Sequence, residues 1–221
     1  MKLTKITAVV LAAVMSVALL TGCSDSGSGA SVKVIEYKNS QLAKVTETGQ
    51  VYLEMDEKME GKPVTARMAA KGKKVYVGAF SGNECWMIDI SENGKGFQIL
   101  YPECPGYDYK KNGTPMTVPV YKEYEATAAN GVEYILGSHD DSDEVEVGSY
   151  SVGGKSFYAE TFTDRNYSET YCFNGTALVA IVEDSGSENP HIRNIRNFRN
   201  TNIPDSLFEL PDDAVDAKTL E

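Results

Sequence analysis

Between Gln50 and Tyr101 apolar residues alternate with polar ones, and the alternation is broken at short intervals by four pairs of turn residues, Glu60-Gly61, Gly72-Lys73, Gly82-Asn83 and Asn93-Gly94. Alternation at period two marks a strand with one buried face, and an Asn-Gly pair between two such runs is the strongest short-range hairpin signal. The turns test one another. If each is a two-residue loop, Leu53 faces Met68, Met68 faces Val77, Val77 faces Ile88 and Ile88 faces Ile99. A slip of one residue at any turn would send the apolar set to the other side. The spacing therefore predicts a five-stranded antiparallel meander over 50–101. One face carries Val51, Leu53, Met55, Ala66, Met68, Ala70, Val75, Val77, Ala79, Trp86, Ile88, Ile90, Phe97, Ile99 and Tyr101. The other is mixed and wetted, with Tyr52, Glu54, Asp56, Thr65, Arg67, Lys71, Tyr76, Phe80, Cys85 and Asp89.

Further strands are expected at Val132 to Gly137, Val145 to Val152, Lys155 to Thr163, Tyr167 to Phe173, Thr176 to Glu183 and His191 to Arg199, with turns at Gly153-Gly154 and Asn174-Gly175. Residues 102–130 hold Pro102, Pro105, Pro115 and Pro119 and read as a long connection, of a length that is uncommon unless it covers something or moves. Tyr37 to Val45 is open to a short helix. The count predicts a mainly β fold of about eleven strands, one large antiparallel curved sheet or incomplete barrel with few short helices.

Ahead of this region, Lys2 and Lys5 precede an apolar run from Ile6 to Leu20 that has the make-up of a secretory signal and stops short of a spanning helix. It ends at Leu20-Thr21-Gly22-Cys23, which resembles the bacterial lipobox. That implies cleavage before Cys23 and a thioether to a diacylglycerol-derived group, palmitate among the acyl chains; two chains hold a protein at a membrane where one does not. The alternative is an ordinary cleaved signal with an incidental cysteine. The expected localisation is the outer face of the cell membrane, or the outer membrane in a cell that has one. The chain then divides into a lipoprotein signal peptide (1–22), the lipidated cysteine and a flexible Ser/Gly-rich tether (23–48), a β domain (49–213) and a tail (214–221). The leader holds two lysines and no acid, so its removal takes the formal net charge from −11 to −13. Such a charge repels phosphate backbones and anionic headgroups, which excludes nucleic acid and a polybasic membrane patch as partners.

No catalytic constellation stands out. Beyond Cys23 there are Cys85, Cys104 and Cys172, without metal-ligand spacing; the register of the meander makes Cys85 to Cys104 the preferred bridge if one forms, leaving one thiol over. His139 lies in Ser138-His139-Asp140-Asp141-Ser142-Asp143-Glu144, which lacks the glycine and distant glutamate of an EF-hand loop and reads as a solvated acidic loop rather than a cation site. His191 reads as a surface residue. Alternation places Arg196 opposite Arg193 and Arg199, so the tract reads as a charge-protected edge strand rather than an anion site. The chain carries no phosphate loop, dinucleotide motif or nucleophile elbow. We expect no enzyme, metal or cofactor, with a hydrolase the least favoured class.

Several segments together resemble small bacterial lipoproteins of the LolA/LolB-like (LppX/LprG-like) superfamily. They are the leader with Cys23, Gln50-Val51-Tyr52-Leu53-Glu54-Met55, Lys71-Gly72-Lys73-Lys74-Val75-Tyr76, Phe157-Tyr158-Ala159-Glu160-Thr161-Phe162, Tyr171-Cys172-Phe173-Asn174-Gly175 and Leu207-Phe208-Glu209-Leu210-Pro211. The resemblance implies an incomplete antiparallel barrel around an apolar cavity, with helices as a lid. The expected function is a membrane-anchored protein binding an acyl chain or glycolipid in the concavity of its sheet, lined by Val51, Leu53, Met55, Ala66, Met68, Val75, Val77, Trp86, Ile88, Ile90, Phe97 and Ile99. The alternative is a structural or sensory envelope lipoprotein with a self-filled core, which meets another envelope protein through its mixed face or through Tyr121 and Tyr124 of the long connection.

Overall fold

The structure, a computed structural model, describes residues 33–59, 61–126, 130–186 and 189–220. The expected signal peptide (1–22), the lipobox-like Leu20-Thr21-Gly22-Cys23 and the expected lipidation at Cys23 lie outside the described residues. Strand β1 (Lys33–Glu36) is followed by helix α1 (Gln41–Thr46) and the meander β2 (Gln50–Met59), β3 (Lys62–Lys71), β4 (Lys74–Ser81), β5 (Glu84–Glu92) and β6 (Lys95–Leu100). A small hairpin, β7 (Lys110–Lys111) and β8 (Thr114–Pro115), leads to β9 (Val120–Glu125) and helix α2 (Gly131–Leu136). A second meander follows, β10 (Glu144–Val152), β11 (Lys155–Asp164), β12 (Tyr167–Asn174), β13 (Ala177–Asp184) and β14 (His191–Arg199), and the chain closes with β15 (Val215–Asp216).

Thirteen strands make one open curved sheet in the order β1-β10-β11-β12-β13-β14-β2-β3-β4-β5-β6-β9-β15, antiparallel except for the two-residue pairing of β15 with β9. Its middle joint is β14 on β2, where Phe198 faces Leu53. The last strand of the second meander thus meets the first strand of the first. β14 is an interior strand, not the edge its arginines suggested.

All four predicted turns of the first meander are where the pattern put them, with Met59 paired to Lys62, Lys71 to Lys74, Ser81 to Glu84 and Glu92 to Lys95. One irregularity intervenes. Phe80 pairs with Cys85 but Ala79 pairs with Met87, so Trp86 is an extra residue, and beyond it Val77 faces Asp89 while Tyr76 faces Ile90. A bulge reverses the side of every residue past it. Ile88, Ile90, Phe97 and Ile99 consequently lie on the face opposite Val51, Leu53, Met55, Ala66, Met68, Val75 and Val77, and Asp89 joins the latter.

Other differences have local causes. Val132 to Leu136 is helical rather than extended, started by Asn130, whose side chain accepts from Val132 N. The 102–130 connection contains β9, paired along its whole length with β6. Of the expected tether (23–48), the part from Lys33 on is structured instead, because β1 pairs with β10 and α1 enters the core. The tail is tied by β15 to β9. The hairpin after β12 turns at Gly175-Thr176, since Asn174 pairs with Ala177.

The two helices lie on the inner face of the sheet. Leu42 and Val45 of α1 and Val132, Ile135 and Leu136 of α2 pack with Val51, Leu53, Met55, Met68, Ala70, Tyr171, Phe173 and Ile181. Each Val, Leu, Ile, Met or Phe among them contributes about 1.5–3 kcal/mol on burial. Small residues let α2 close in: Gly131 N donates to Gly72 O at 2.9 Å, and a Cβ on Gly131 would stand 2.7 Å from Lys74 O and 3.0 Å from the Ala70 methyl. On the outer face of β2–β6 lies the segment after β14, with Ile203, Leu207, Phe208 and Leu210 packed on Tyr52, Ala69, Tyr76, Ile90 and Ile99.

Candidate functional site: a cleft between the two helices

The expected ligand-lining set divides three ways. Val51, Leu53, Met55, Ala66, Met68, Val75 and Val77 keep the inner face, but the first three and Met68 are buried beneath the helices, so this part of the concavity is filled by the protein itself. Trp86 packs with Val64 and Cys104 in a separate cluster. Ile88, Ile90, Phe97 and Ile99 sit under the C-terminal segment on the outer face.

Open space lies instead beside the helices. A solvent-open cleft of about 410 Å³ runs between α1 and α2 and the turns next to them, lined among others by Tyr37, Lys38, Ala43, Lys44, Glu47, Val132, Glu133, His139 and Asp141. That is within the ~300–1,000 Å³ range of small-molecule sites.

Each wall has a definite support. Helix α1 begins at Ser40, whose hydroxyl accepts from Ala43 N at 2.9 Å. Its next free donors, Gln41 N and Leu42 N, go to the carboxylate of Glu160, a fully buried residue on β11 that also accepts from the Tyr158 hydroxyl at 2.9 Å. A helix start leaves donors unpaired, and an acid there satisfies them and favours the dipole. Helix α2 begins at Asn130, which accepts from Val132 N and donates to Glu133 Oε1 at 3.0 Å. It ends at Gly137, whose φ of +81° suits glycine, and the Tyr171 hydroxyl donates to Leu136 O at that end.

The back of the cleft is aromatic. The His139 ring stacks on Phe162 at 3.9 Å between centroids, with Tyr37 at 5.3 Å and Tyr171 at 6.0 Å. Burial pushes the imidazole below its usual pKa, only partly offset by Asp143 and a backbone hydrogen bond at Leu136, so it is uncharged at neutral pH. Its Nε2 is buried and has no hydrogen-bond partner among the described residues; it lies with Tyr171 Oη and Glu169 Oε2 around the space a Cβ on Gly137 would occupy. Burial raises Glu169, whose Oε2 lies 2.7 Å from the Tyr171 hydroxyl and competes with Leu136 O for that hydroxyl's single proton, and burial takes Tyr171 well above its ordinary range. His139 is thus a wall of the cleft rather than part of a solvated loop.

The acidic turn after it does stay exposed, with two carboxylates spent on its own backbone: Asp140 accepts from Ser142 N at 2.9 Å, and Asp143 from Asp140 N at 2.7 Å. Among the described residues no three His, Cys, Asp or Glu side chains converge as a metal site requires.

The remaining candidates disperse. His191 is exposed and lies 3.3 Å from Glu183. The bulge in β14 between Ile195 and Asn197 undoes the expected alternation. Arg193 faces inward, pairing with Glu183 at 3.0 Å and Glu57 at 3.5 Å, whereas Arg196 pairs with Asp56 and Arg199 lies 4.4 Å from the Tyr52 ring, both outward. Among the described residues none of Cys85, Cys104 and Cys172 is joined in a disulfide. Cys104 packs with Val64 and Trp86 and Cys85 pairs with Phe80 on the outer face; the preferred bridge is not formed, although the two lie near enough for Cys104 to act on the Cys85 thiol. Tyr121 packs edge-on against Phe97 at 5.8 Å, and Tyr124 covers Gly96 beside Asp89. No residue pattern in the sequence marked the cleft. The one signal for it was Asn130 three residues before Glu133, a helix-start pairing.

No protein-family model matches this chain, and no curated protein is similar to it in sequence.

Proposed function

We propose that this protein is an exported lipoprotein, anchored through Cys23, that serves as a membrane-tethered binding or sensory module with the cleft between α1 and α2 as its ligand-facing site. The observation that supports a surface site over an acyl-binding trough is the packing of Leu42, Val45, Val132, Ile135 and Leu136, each 9% exposed or less, onto the inner face of the sheet. An acyl chain would have to displace them. The test is native mass spectrometry of protein drawn from its own membranes after mild delipidation. No co-purifying lipid is expected; stoichiometric lipid would sink the reading. Anchoring is tested by Cys23→Ser, which should move the protein from the detergent phase to the aqueous phase in a phase separation, because only the thiol can form the thioether. Equal partitioning of both forms would remove the anchor.

The second reading, a hydrophobic ligand in the concavity as the LolA/LolB-like resemblance implies, has one observation in its favour. Both helices have only six residues and are held at defined polar points, Glu160 at the start of α1 and Tyr171 at the end of α2. They could be lifted as units. Lipid-dependent loss of amide protection confined to 41–46 and 131–136 would favour it.

A further inference from the structure

We propose that the cleft between α1 and α2 binds an organic cation, an amine or quaternary ammonium group seated against the rings of Tyr37 and His139 and balanced by Glu47, Glu133 and Asp141. The inference rests on the cleft being the ligand-facing site and adds the class of its ligand.

Three features of the lining carry it. Its back is formed by two rings whose centroids are 5.3 Å apart, and ring faces attract cations, quaternary ammonium groups above all. An uncharged imidazole is such a face, whereas an imidazolium would repel the ligand. The uncompensated charge of the walls is negative. Lys38 is already held by Glu36 at 2.6 Å, Glu133 receives only a neutral amide, and no ion pair within 4 Å engages Glu47, Asp141 or Lys44 among the described residues. The lining therefore carries three carboxylates against two ammonium groups, one of which, Lys38, is shared between Glu36 and Asp141. Glu133 and Asp141 both act electrostatically on the Tyr37 hydroxyl, so the acids and the ring share one neighbourhood. Ala43 and Val132 supply apolar surface for the body of an amphipathic cation, and the whole chain's charge of −11 raises the local concentration of cations and not of anions.

The alternatives fit less well. A bare divalent ion would need converging oxygen ligands, and the rim carboxylates do not converge. An anion would meet two lysines against three acids.

The experiment titrates the full-length protein in an uncharged maltoside detergent with choline, and separately with dimethylbutanol, its uncharged carbon isostere. Binding is followed through the methyl resonances of Ala43 and Val132. Choline should shift both saturably, and the isostere should bind at least about tenfold more weakly, the factor that 1.4 kcal/mol represents. The exposed pair Glu133→Gln and Asp141→Asn should weaken choline several-fold at unchanged thermal stability, and Lys44→Gln should strengthen it. Equal affinity for choline and its isostere, or insensitivity to all three substitutions, overturns the cation assignment while leaving the site. Absence of any methyl shift with either probe overturns both the assignment and the site.

Discussion

On the outer side of β2–β6 the chain lays its own C-terminal segment across the sheet, and Ile203, 2% exposed, packs among Tyr52, Ala69, Tyr76 and Ile99. On the outer side of β10–β13 the apolar cluster is Ala159, Cys172, Ala180 and Val182 with Tyr150, Val152, Phe157 and Val179, all from those four strands. Both surfaces exclude water from their centres, by different means. The bulge at Trp86 turned Ile88 and Ile90 outward in the first half, which made a cover necessary; in the second half small residues lie low enough for their neighbours to shield them. A sheet face can be kept dry by an added layer or by side chains too small to stand above their neighbours, and only the first depends on chain that comes much later in the sequence.

The largest expected effect comes from removing the added layer. A chain ended at Asn202 should lose cooperative unfolding and bind a hydrophobic dye, because the cluster under the segment is bared at once; a cooperative thermal transition in that variant would mean the two halves are not different. Next, Ile203→Ala should cost about 2–4 kcal/mol in urea unfolding. Phe157→Ala on the self-shielded face should cost less than half as much, its side chain being only partly buried. Equal costs would break the comparison.

A smaller effect separates the inner faces. Burial raises Asp89 to about 6 from an ordinary 3.8, against hydrogen bonds from Gln98 and Tyr124. The fold therefore keeps a proton that the unfolded chain gives up first, so stability should fall as pH rises through this window and level off above it. Asp89→Asn should flatten that slope and stabilise the protein at neutral pH by on the order of 2 kcal/mol. An unchanged slope would place the titration elsewhere. The least effect is on reactivity. Burial pushes the thiols of Cys85 and Cys172 up to about 12 and about 11, and alkylation needs the thiolate, so at pH 8 both should label far more slowly in the native protein than in denaturant. Fast native labelling of Cys172 would show that the small-residue face opens.

The turns were legible because glycine and asparagine announce them and because four registers had to agree. The bulge was not, since a single extra residue leaves the alternation intact on each side of it. Its one trace is Gly78, over which the Tyr76 and Phe80 rings fold so closely that a Cβ would collide with both. β9 was missed because Lys122, Glu123, Tyr124 and Glu125 show no apolar face; only Val120 is buried in that strand. In α2, Val132-Glu133-Tyr134-Ile135-Leu136 is too short a run for periodicity to separate helix from strand, and the Asn130 and Glu133 pair was the available cue. The cleft was out of reach for a different reason: Tyr37, Lys44, Glu133 and His139 are brought together by where two short helices land on the sheet, and no local pattern records that.

The joint between β14 and β2 has a consequence in time. Each meander is built from neighbours in sequence, which form fast, while the joint pairs Leu53 with Phe198 across most of the chain. A polypeptide made from its N-terminus completes β2–β6 while β14 is still unmade, so the early meander waits with one side of β2 bare, its amides and carbonyls open to any extended strand nearby. The late strand ends that exposure, and the slowest and most aggregation-prone interval in the life of this protein is set by the distance along the chain between those two strands.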